Sequence, residues 1–528
     1  MSTWRRRVSL TTSAAGVIAV VGAVVVLGQL SPVGAQQPAP GSTVDVHAAS
    51  STLVCPGPVR LPKSTGDKAF DPTPVGAVTA VRGVTTSVTA DGLLTGTAAT
   101  GALTDLISGK ELTKVSPAGG SAGVARVATP AGPVLLTAAP AGNVSPRIAG
   151  TSSSLVTAGD LRGLAAASCS QPSPEQWLVG GSTDVSSTAL LTLVNPGSTA
   201  TSVSLEVWGP NGPAVLAGGS ALLVAPRTQR QVLMSAVAAE QRRIVVHVIA
   251  TGGSVTASLQ DNELRGLTPG GLDLVAAAAA PSKRQVVGGL VVPESTISST
   301  DQAVLRVLAP GKAGTTATIS LLGTDGVIPL PGASTVDLTA GTVVDIPLAG
   351  IPAGSYTAVV EADVPVLAAA MITRVGLPGA LENEPVVDRA WAASAIPGRG
   401  GTVAVPATQG VTATVLLSGI GPQAVDSGGA ARGTLRGISA DGRVVGEKDI
   451  SVGAGNTEAI PVDALGTGVV AVDLVVADSG TSSAQLAWWL LASGSQSDGE
   501  LVSLVTPASP QESVPAVEVR PGTKLGLP

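Results

Sequence analysis

After Cys169, one set of short apolar runs and turn signals returns in the same order with a period near 114 residues, and this repeat constrains the fold more than any other feature. In the first copy an apolar run at 188–194 meets Asn195-Pro196-Gly197, a second run at 201–208 follows, and Asn211-Gly212 ends it. The second copy has 303–308, Ala309-Pro310-Gly311, 315–322 and Asp325-Gly326. The third has 411–417, Gly419-Ile420-Gly421-Pro422, a longer insertion, 433–439 and Asp441-Gly442. Each copy closes with two more apolar runs, at 244–250 and 254–260, 356–362 and 364–372, and 469–477 and 484–491. Trp177 and Trp391 open the first and third copies.

Runs of this length, punctuated every 8 to 12 residues, describe short strands. Asn-Gly and Asp-Gly suit tight hairpins because those residues tolerate positive φ. With 66 Gly, 39 Pro and only 2% aromatic residues, Val, Ala and Leu must supply the core. Val packs well on a pleated sheet because its β-branch restricts χ1. The expected fold is all-β, as tandem immunoglobulin-like β-sandwich modules of about 110 residues. A β-propeller-like assembly is the second choice, because a propeller blade spans only about 40 to 50 residues. The segment between Cys55 and Cys169 has the same character, with runs at 84–88 and 93–97 around Ala90-Asp91-Gly92 and at 124–128 and 134–138 around Pro130-Ala131-Gly132-Pro133. It reads as a fourth β module. The expected organisation is an N-terminal apolar segment at 1–35, a Pro/Ala/Ser/Thr stalk at 36–52 and an N-terminal module at 53–170. Repeats follow at 171–281, 282–388 and 389–506, then a Pro-rich, extended tail at 507–528.

The N-terminus carries an address. Trp4-Arg5-Arg6-Arg7 precedes an apolar stretch centred on 14–30. Basic residues are held on the cytoplasmic side, so the remainder of the chain is expected outside the membrane. Two outcomes stay open: a single-pass anchor with the N-terminus inside, or a signal peptide cut near Ala35 after Val33-Gly34. An exported chain meets an oxidising compartment, so its two cysteines, Cys55 and Cys169, are expected to form a disulfide.

Three further runs carry a resemblance. They are Leu53-Val54-Cys55-Pro56-Gly57-Pro58, Gly159-Asp160-Leu161-Arg162-Gly163-Leu164 before Cys169, and Glu175-Gln176-Trp177-Leu178-Val179-Gly180-Gly181-Ser182-Thr183. Together they resemble an actinobacterial family of uncharacterised secreted proteins, known as a domain of unknown function. The resemblance implies a place in the envelope of high-GC Gram-positive bacteria, loosely near envelope biogenesis. It carries no catalytic or binding residue with it.

Chemistry-bearing groups are scarce. The net charge is −6 and no Lys/Arg cluster follows the first residues, so nucleic-acid binding lacks its electrostatic footprint. Of the two histidines, His47 falls in the stalk, and His247 falls in the run 244–250 as a strand-face residue. A mainly helical body, or a deep polar cleft gathering His247 with carboxylates, would overturn the all-β, non-catalytic reading. Gly119-Gly120-Ser121-Ala122-Gly123 matches Gly-x-Ser-x-Gly, but a nucleophile elbow joins a strand to a helix, and here a strand is expected to follow. No metal or cofactor site is expected. The densest oxygen cluster, Asp261-Asn262-Glu263, reads as a solvated turn.

Trp488-Trp489 forms the one adjacent aromatic pair. On a strand its rings point to opposite faces, one into the core and the other outward or toward a module interface, where it is a candidate ligand or partner contact. Trp177, Trp208 and Trp391 read as sandwich-core anchors. The expected function is a non-enzymatic, extracytoplasmic envelope protein, a structural or interaction ectodomain that holds or contacts another envelope component and supports envelope assembly. A wall-polysaccharide-binding module centred on Trp488/Trp489 is the second expectation, and an unfamiliar hydrolase is the remote third.

Overall fold

The computed structural model describes residues 48–507 apart from 63–75, 87–98, 141–145, 300, 379–382, 423–428 and 478–483, together with the backbone of 42–45 and 516–519. The apolar segment at 1–35, His47 and the run 93–97 lie outside the described residues. Among those described, no helix is long and apolar enough to cross a membrane. The chain divides into two compact units. In the smaller one, Ser42–Asp45 pairs antiparallel with Ala516–Val519, so the parts of the stalk and tail described there are strands paired with each other.

The larger unit, Ala48–Ser513, is all-β and consists of four two-sheet sandwiches built on one plan. Repeat 3 shows the plan most simply. Its strands are Gly401–Ala404, Val411–Ile420, Ala430–Ser439 with its hairpin return Val444–Gly453, Thr457–Pro461, Val469–Val476, Gln485–Gln496 and Gly499–Val505. The first, fifth and third strands and the hairpin return lie side by side in one sheet; the fourth, second, sixth and seventh form the other. The N-terminal module and repeats 1 and 2 have the same order. In repeat 2 the fifth and sixth strands are one continuous 25-residue strand, Gly354–Pro378, which joins its two sheets.

This order corrects the immunoglobulin-like expectation. In that fold consecutive first and second strands share a sheet, whereas here they do not. In repeat 1 the crossing is made by the segment 180–186, where Gly181 takes a φ of +83°, between the first strand Glu175–Val179 in one sheet and the second, Ser187–Asn195, in the other; the next connection crosses as well. Asn195-Pro196-Gly197 arches from one sheet to the other, and Asn195 Nδ2 holds the arch by donating to the Thr199 and Val224 carbonyls at 2.8 and 3.0 Å. The Asn211-Gly212 and Asp325-Gly326 turns do close hairpins, with Gly209 opposite Gly212 and Gly323 opposite Gly326. Gly212 and Gly326 take positive φ there, +109° and +116°.

The strand Pro385–Ala393 corrects the boundary placed between 388 and 389. It pairs with Gly354–Pro378 as the last strand of repeat 2, so Trp391 closes that repeat and does not open the next. Along each strand the alternation of burial follows the pleat: in Thr201–Gly209, Val203, Leu205 and Val207 are buried while Ser202 and Glu206 face outward.

The four modules close into a ring. Gln260 in repeat 1 exchanges two hydrogen bonds with the Arg60 backbone of the N-terminal module, at 2.9 and 3.0 Å. Arg306 of repeat 2 donates to the Gly181 carbonyl of repeat 1 at 2.6 Å. Trp489 Nε1 of repeat 3 donates to the Ala393 carbonyl of repeat 2 at 3.1 Å. Thr151 and Arg82 of the N-terminal module donate to the Ala404 and Val405 carbonyls of repeat 3, each at 2.6 Å. Burial pulls the Arg82 guanidinium down to about 10, and the nearby Arg126 charge adds to the effect. The last strands of the modules, Gly163–Ser168, Thr268–Val275, Pro385–Ala393 and Gly499–Val505, meet around the axis of the ring.

Cys55 and Cys169 are bonded across 114 residues and fully buried. The bond ties the first strand of the N-terminal module to the residue after its last. Val54 and Ser170 exchange backbone hydrogen bonds beside it, at 2.8 and 2.9 Å. Closing a loop of that length restricts the unfolded chain by roughly 4 to 5 kcal/mol in the entropic account. Urea unfolding of the Cys55→Ala/Cys169→Ala variant should therefore show a loss of about 4 kcal/mol. An unchanged midpoint would show that the ring alone holds this module.

Candidate functional site

The axis of the ring is polar. Asp388, fully buried on the last strand of repeat 2, accepts a backbone hydrogen bond from the last strand of each other module: Leu164 at 3.3 Å, Leu272 at 3.4 Å and Val502 at 2.8 Å. Asp273, also fully buried, is the repeat 1 counterpart. It accepts from the Trp391 amide at 2.6 Å and from the Ser503 hydroxyl at 2.8 Å. The Ser503 hydroxyl in turn accepts from the Ala166 amide at 2.8 Å.

Burial pushes the Asp388 carboxyl up to about 7, against the pull of the Val502 and Leu164 amides, the Arg162 charge and the Leu272 amide. Burial also raises Asp273 well above the ordinary carboxylate range. Arginines surround this hub in closed pairs: Arg162 forks onto Asp498 at 2.6 and 2.7 Å, and Arg389 meets Glu263 at 2.6 Å. Asp261-Asn262-Glu263 is therefore no solvated turn. Asp261 and Asn262 are buried within the strand Thr256–Arg265, and Asp261 accepts from Trp391 Nε1 at 2.8 Å.

His247 occupies a second cluster. It lies in the strand Val245–Thr251, in register with Trp177 on one side and Glu206 on the other. Its Nδ1 is 2.9 Å from Glu206 and its Nε2 is 2.9 Å from Glu175, and the ring stacks on Trp177 with centroids 3.7 Å apart. Trp208 packs beside both rings, its centroid 5.3 Å from Trp177 and 6.3 Å from His247. His247 thus is a strand-face residue that meets two carboxylates the sequence did not point to. A carboxylate only accepts, so both ring nitrogens are engaged by this chain's own side chains. A hollow of about 500 Å³ lies over Trp208, Glu206 and His247 beneath the turn at Pro310, Gly311 and Lys312 of repeat 2. Trp177 and Trp208 consequently pack at the joint between repeats, and Trp391 stands between repeats as well, with the Arg306 guanidinium 4.7 Å above its ring.

The Trp488-Trp489 pair divides between faces. Trp489 is sealed between repeats 2 and 3 and lies so close to Gly288 that a Cβ there would clash with the indole. It is a module-interface residue without an exposed face. Trp488 joins the core of repeat 3 and is 3% exposed, with part of its side chain on a cavity of about 360 Å³. This cavity opens where the chain leaves the four central strands, at 168–171, 276–280, 394–396 and 506–507. Ser121 belongs to no such site: its loop seats Gly120 on Gly442 of repeat 3, where a Cβ would clash with the Gly442 carbonyl. The strand Ala122–Ala128 follows directly, which excludes the strand-to-helix elbow. Among the described residues no group of three or more His, Cys, Asp and Glu is placed to hold a metal ion.

A family profile described as a family of unknown function (DUF5719) matches residues 124–463. The chain belongs to this family. The match takes in the Gly159–Leu164 and Glu175–Thr183 runs, His247 and both axial aspartates, and it ends before Trp488. No curated protein matches the chain. A solved chain, the biofilm associated protein BSP domain, is similar at 8% identity over 91% of this chain and 99% of its own, with a TM-score of 0.12.

The raised Asp388 carboxyl makes stability depend on pH. The native state holds this proton to about 7, whereas the unfolded chain releases it near 3.8. The contribution is therefore full below pH ~4 and lost as the pH rises through about 7. Between pH 5 and pH 8 the wild type should lose about 2 to 3 kcal/mol through this group, at ~1.4 kcal/mol per pH unit. Asp388→Asn should lose that much less over the same interval in urea unfolding. Parallel pH profiles for the two proteins would show that Asp388 does not titrate there.

Proposed function

We propose that this chain is a non-enzymatic, extracytoplasmic ectodomain of the cell envelope, held by its N-terminal apolar segment or released after cleavage near Ala35, that contacts another envelope component. The observation carrying this reading is the direction in which its reactive groups face. Both nitrogens of His247 and the carboxyls of Asp273 and Asp388 engage the protein's own backbone and side chains, across or beside the joints between strands and modules. The axial aspartates in this way hold modules together and His247 ties neighbouring strands of repeat 1, whereas general acid–base work needs a group within reach of a substrate proton.

The buried Cys55–Cys169 bond agrees with an oxidising compartment. The resemblance of the opening runs to secreted actinobacterial proteins agrees with an envelope address. A closed ring of four sandwiches gives a rigid base from which loops and sheet rims present contacts, the usual arrangement for recognition on β modules. Wall-polysaccharide binding is the second reading. It loses Trp489 to an interface but keeps Trp488 on the axial cavity.

The test is crosslinking in living cells, with photoreactive residues at the outermost apolar positions, Val185 and Val215, each 95% exposed. An envelope protein or wall polymer captured from either position supports the proposal. Cells in which neither position captures an envelope component, with the protein folded and exported, would remove it.

A further inference from the structure

The seam that closes the ring, between the N-terminal module and repeat 3, gathers arginines. Arg82, Arg126 and Arg147 come to it from the strands Val78–Thr86, Ala122–Ala128 and Arg147–Val156 of the N-terminal module. Arg436 and Arg443 come from repeat 3. Three of the five are answered by acids: Arg147 meets Asp473 at 3.2 Å, Arg436 meets Glu447 at 3.1 Å and Arg443 meets Asp441 at 3.4 Å. No carboxylate among the described residues pairs with Arg82 or Arg126. These two stand directly opposite each other on adjacent strands, where like charges destabilise a sheet. The conflict shows in Arg82, whose guanidinium burial and then the Arg126 charge pull down to about 10.

Carbonyls of repeat 3 take only part of what the two arginines offer. Arg82 Nη1 donates to Val405 at 2.6 Å and to Val470 at 3.4 Å, and Arg126 Nε donates to Ala407 at 3.1 Å. No acceptor among the described residues takes the N–H groups on Nε and Nη2 of Arg82 or on the two terminal nitrogens of Arg126. A carbonyl also carries no net charge, so two positive charges stand uncompensated side by side in a chain of net charge −6. Arg126 is exposed and Arg82 half-buried, which leaves the pair within reach of solvent. We propose that Arg82 and Arg126 together bind a phosphate dianion, either inorganic phosphate or a terminal phosphomonoester of an envelope component. Such a group carries about two negative charges near neutral pH, and its oxygens fit the planar guanidinium fork. A carboxylate brings one charge and a neutral ligand none. Both arginines already reach repeat 3, so the bound anion braces the one joint of the ring that no chain connection spans. The inference goes beyond the ectodomain reading and does not rest on it.

The experiment titrates the purified exported protein with sodium phosphate and with sodium acetate in a calorimeter, at pH 7.5 and at fixed ionic strength balanced by chloride. The variants are Arg126→Ala and Arg126→Glu, at an exposed position; the second sets a carboxylate opposite Arg82. Urea unfolding in phosphate-free buffer accompanies each titration. The expected result is phosphate binding at least tenfold tighter than acetate, weakened tenfold or more in Arg126→Ala and abolished in Arg126→Glu. Arg126→Glu should also raise the urea midpoint, because its side chain supplies the missing negative charge. A second arm measures retention on purified walls before and after phosphatase treatment. Retention that phosphatase removes identifies a terminal phosphomonoester as the source, and phosphate binding without such retention identifies free phosphate. Phosphate bound no more tightly than acetate by the wild type, or bound equally by both variants, would overturn the site. Crosslinks from Val185 or Val215 that persist in Arg126→Glu would leave the ectodomain reading standing whatever becomes of this site.

Discussion

The architecture depends on one carboxyl group. Asp388 takes a backbone N–H from each of the other three modules, so the last strands of the modules are joined through a single side chain at the axis. A buried acid is costly to ionise, and here burial outweighs three amide donors and the Arg162 charge, which leaves the group protonated well above the ordinary carboxylate range. Hydrogen bonds of this kind reward one relative placement of the four strands, because a shifted strand would leave a buried amide and a buried carboxyl unpaired. Apolar packing between Val- and Ala-rich sheets specifies position far less sharply. The axial aspartates supply the direction that the aliphatic cores lack.

The same logic explains where the aromatic residues went. Val, Leu and Ala suffice to fill most of the space between two sheets, and the cores of the N-terminal module and of repeats 2 and 3 are aliphatic apart from the disulfide, Tyr356 and Trp488. Joints between modules have irregular gaps and stray polar groups, and an indole offers both a large apolar body and an N–H. Trp391 donates to Asp261 of the neighbouring repeat, and Trp489 donates to a carbonyl of the neighbouring repeat. Trp177 and Trp208 pack with His247 beneath the turn of repeat 2. Trp177, Trp208, Trp391 and Trp489 thus stand where modules meet, while Trp488 and Tyr356 belong to the cores of repeats 3 and 2. Trp177, Trp208 and Trp391, expected as core anchors, are buried in the cluster centred on repeat 1, which continues into Leu308, Val343, Leu367 and Ala369 of repeat 2.

Much of the fold was legible because strand length and turn spacing leave direct traces in sequence. The runs at 188–194, 201–208, 315–322 and 433–439 all fall within strands, and the two cysteines lie where the first and last strands of one module come together. Strand order was not legible. Asn195-Pro196-Gly197 looks like a hairpin turn, yet the same residues serve as an arch between sheets, and only the later strands decide which sheet each run joins. The axial site did leave a signal. Asp273, Asp388 and Ser503 stand 115 residues apart, close to the period of the repeat, each on the last strand of its module. A polar residue recurring at the repeat spacing inside an apolar run points to a shared buried position, and on that ground all three could have been named.

A ring of four units also leaves its own kind of space. Four strands converging on an axis can share hydrogen bonds where they are closest, around Asp388, but their chains must part as they leave for the next module. The gap that opens there belongs to no single sandwich, so no single core fills it. Side-chain size then decides whether it stays open, and the alanines at 276–280 keep it open. Joints between modules bring together groups from distant stretches of chain, here Glu175, Arg399 and Trp488, which no local motif could have assembled. That is why this lining was invisible to a reading of its segments one at a time.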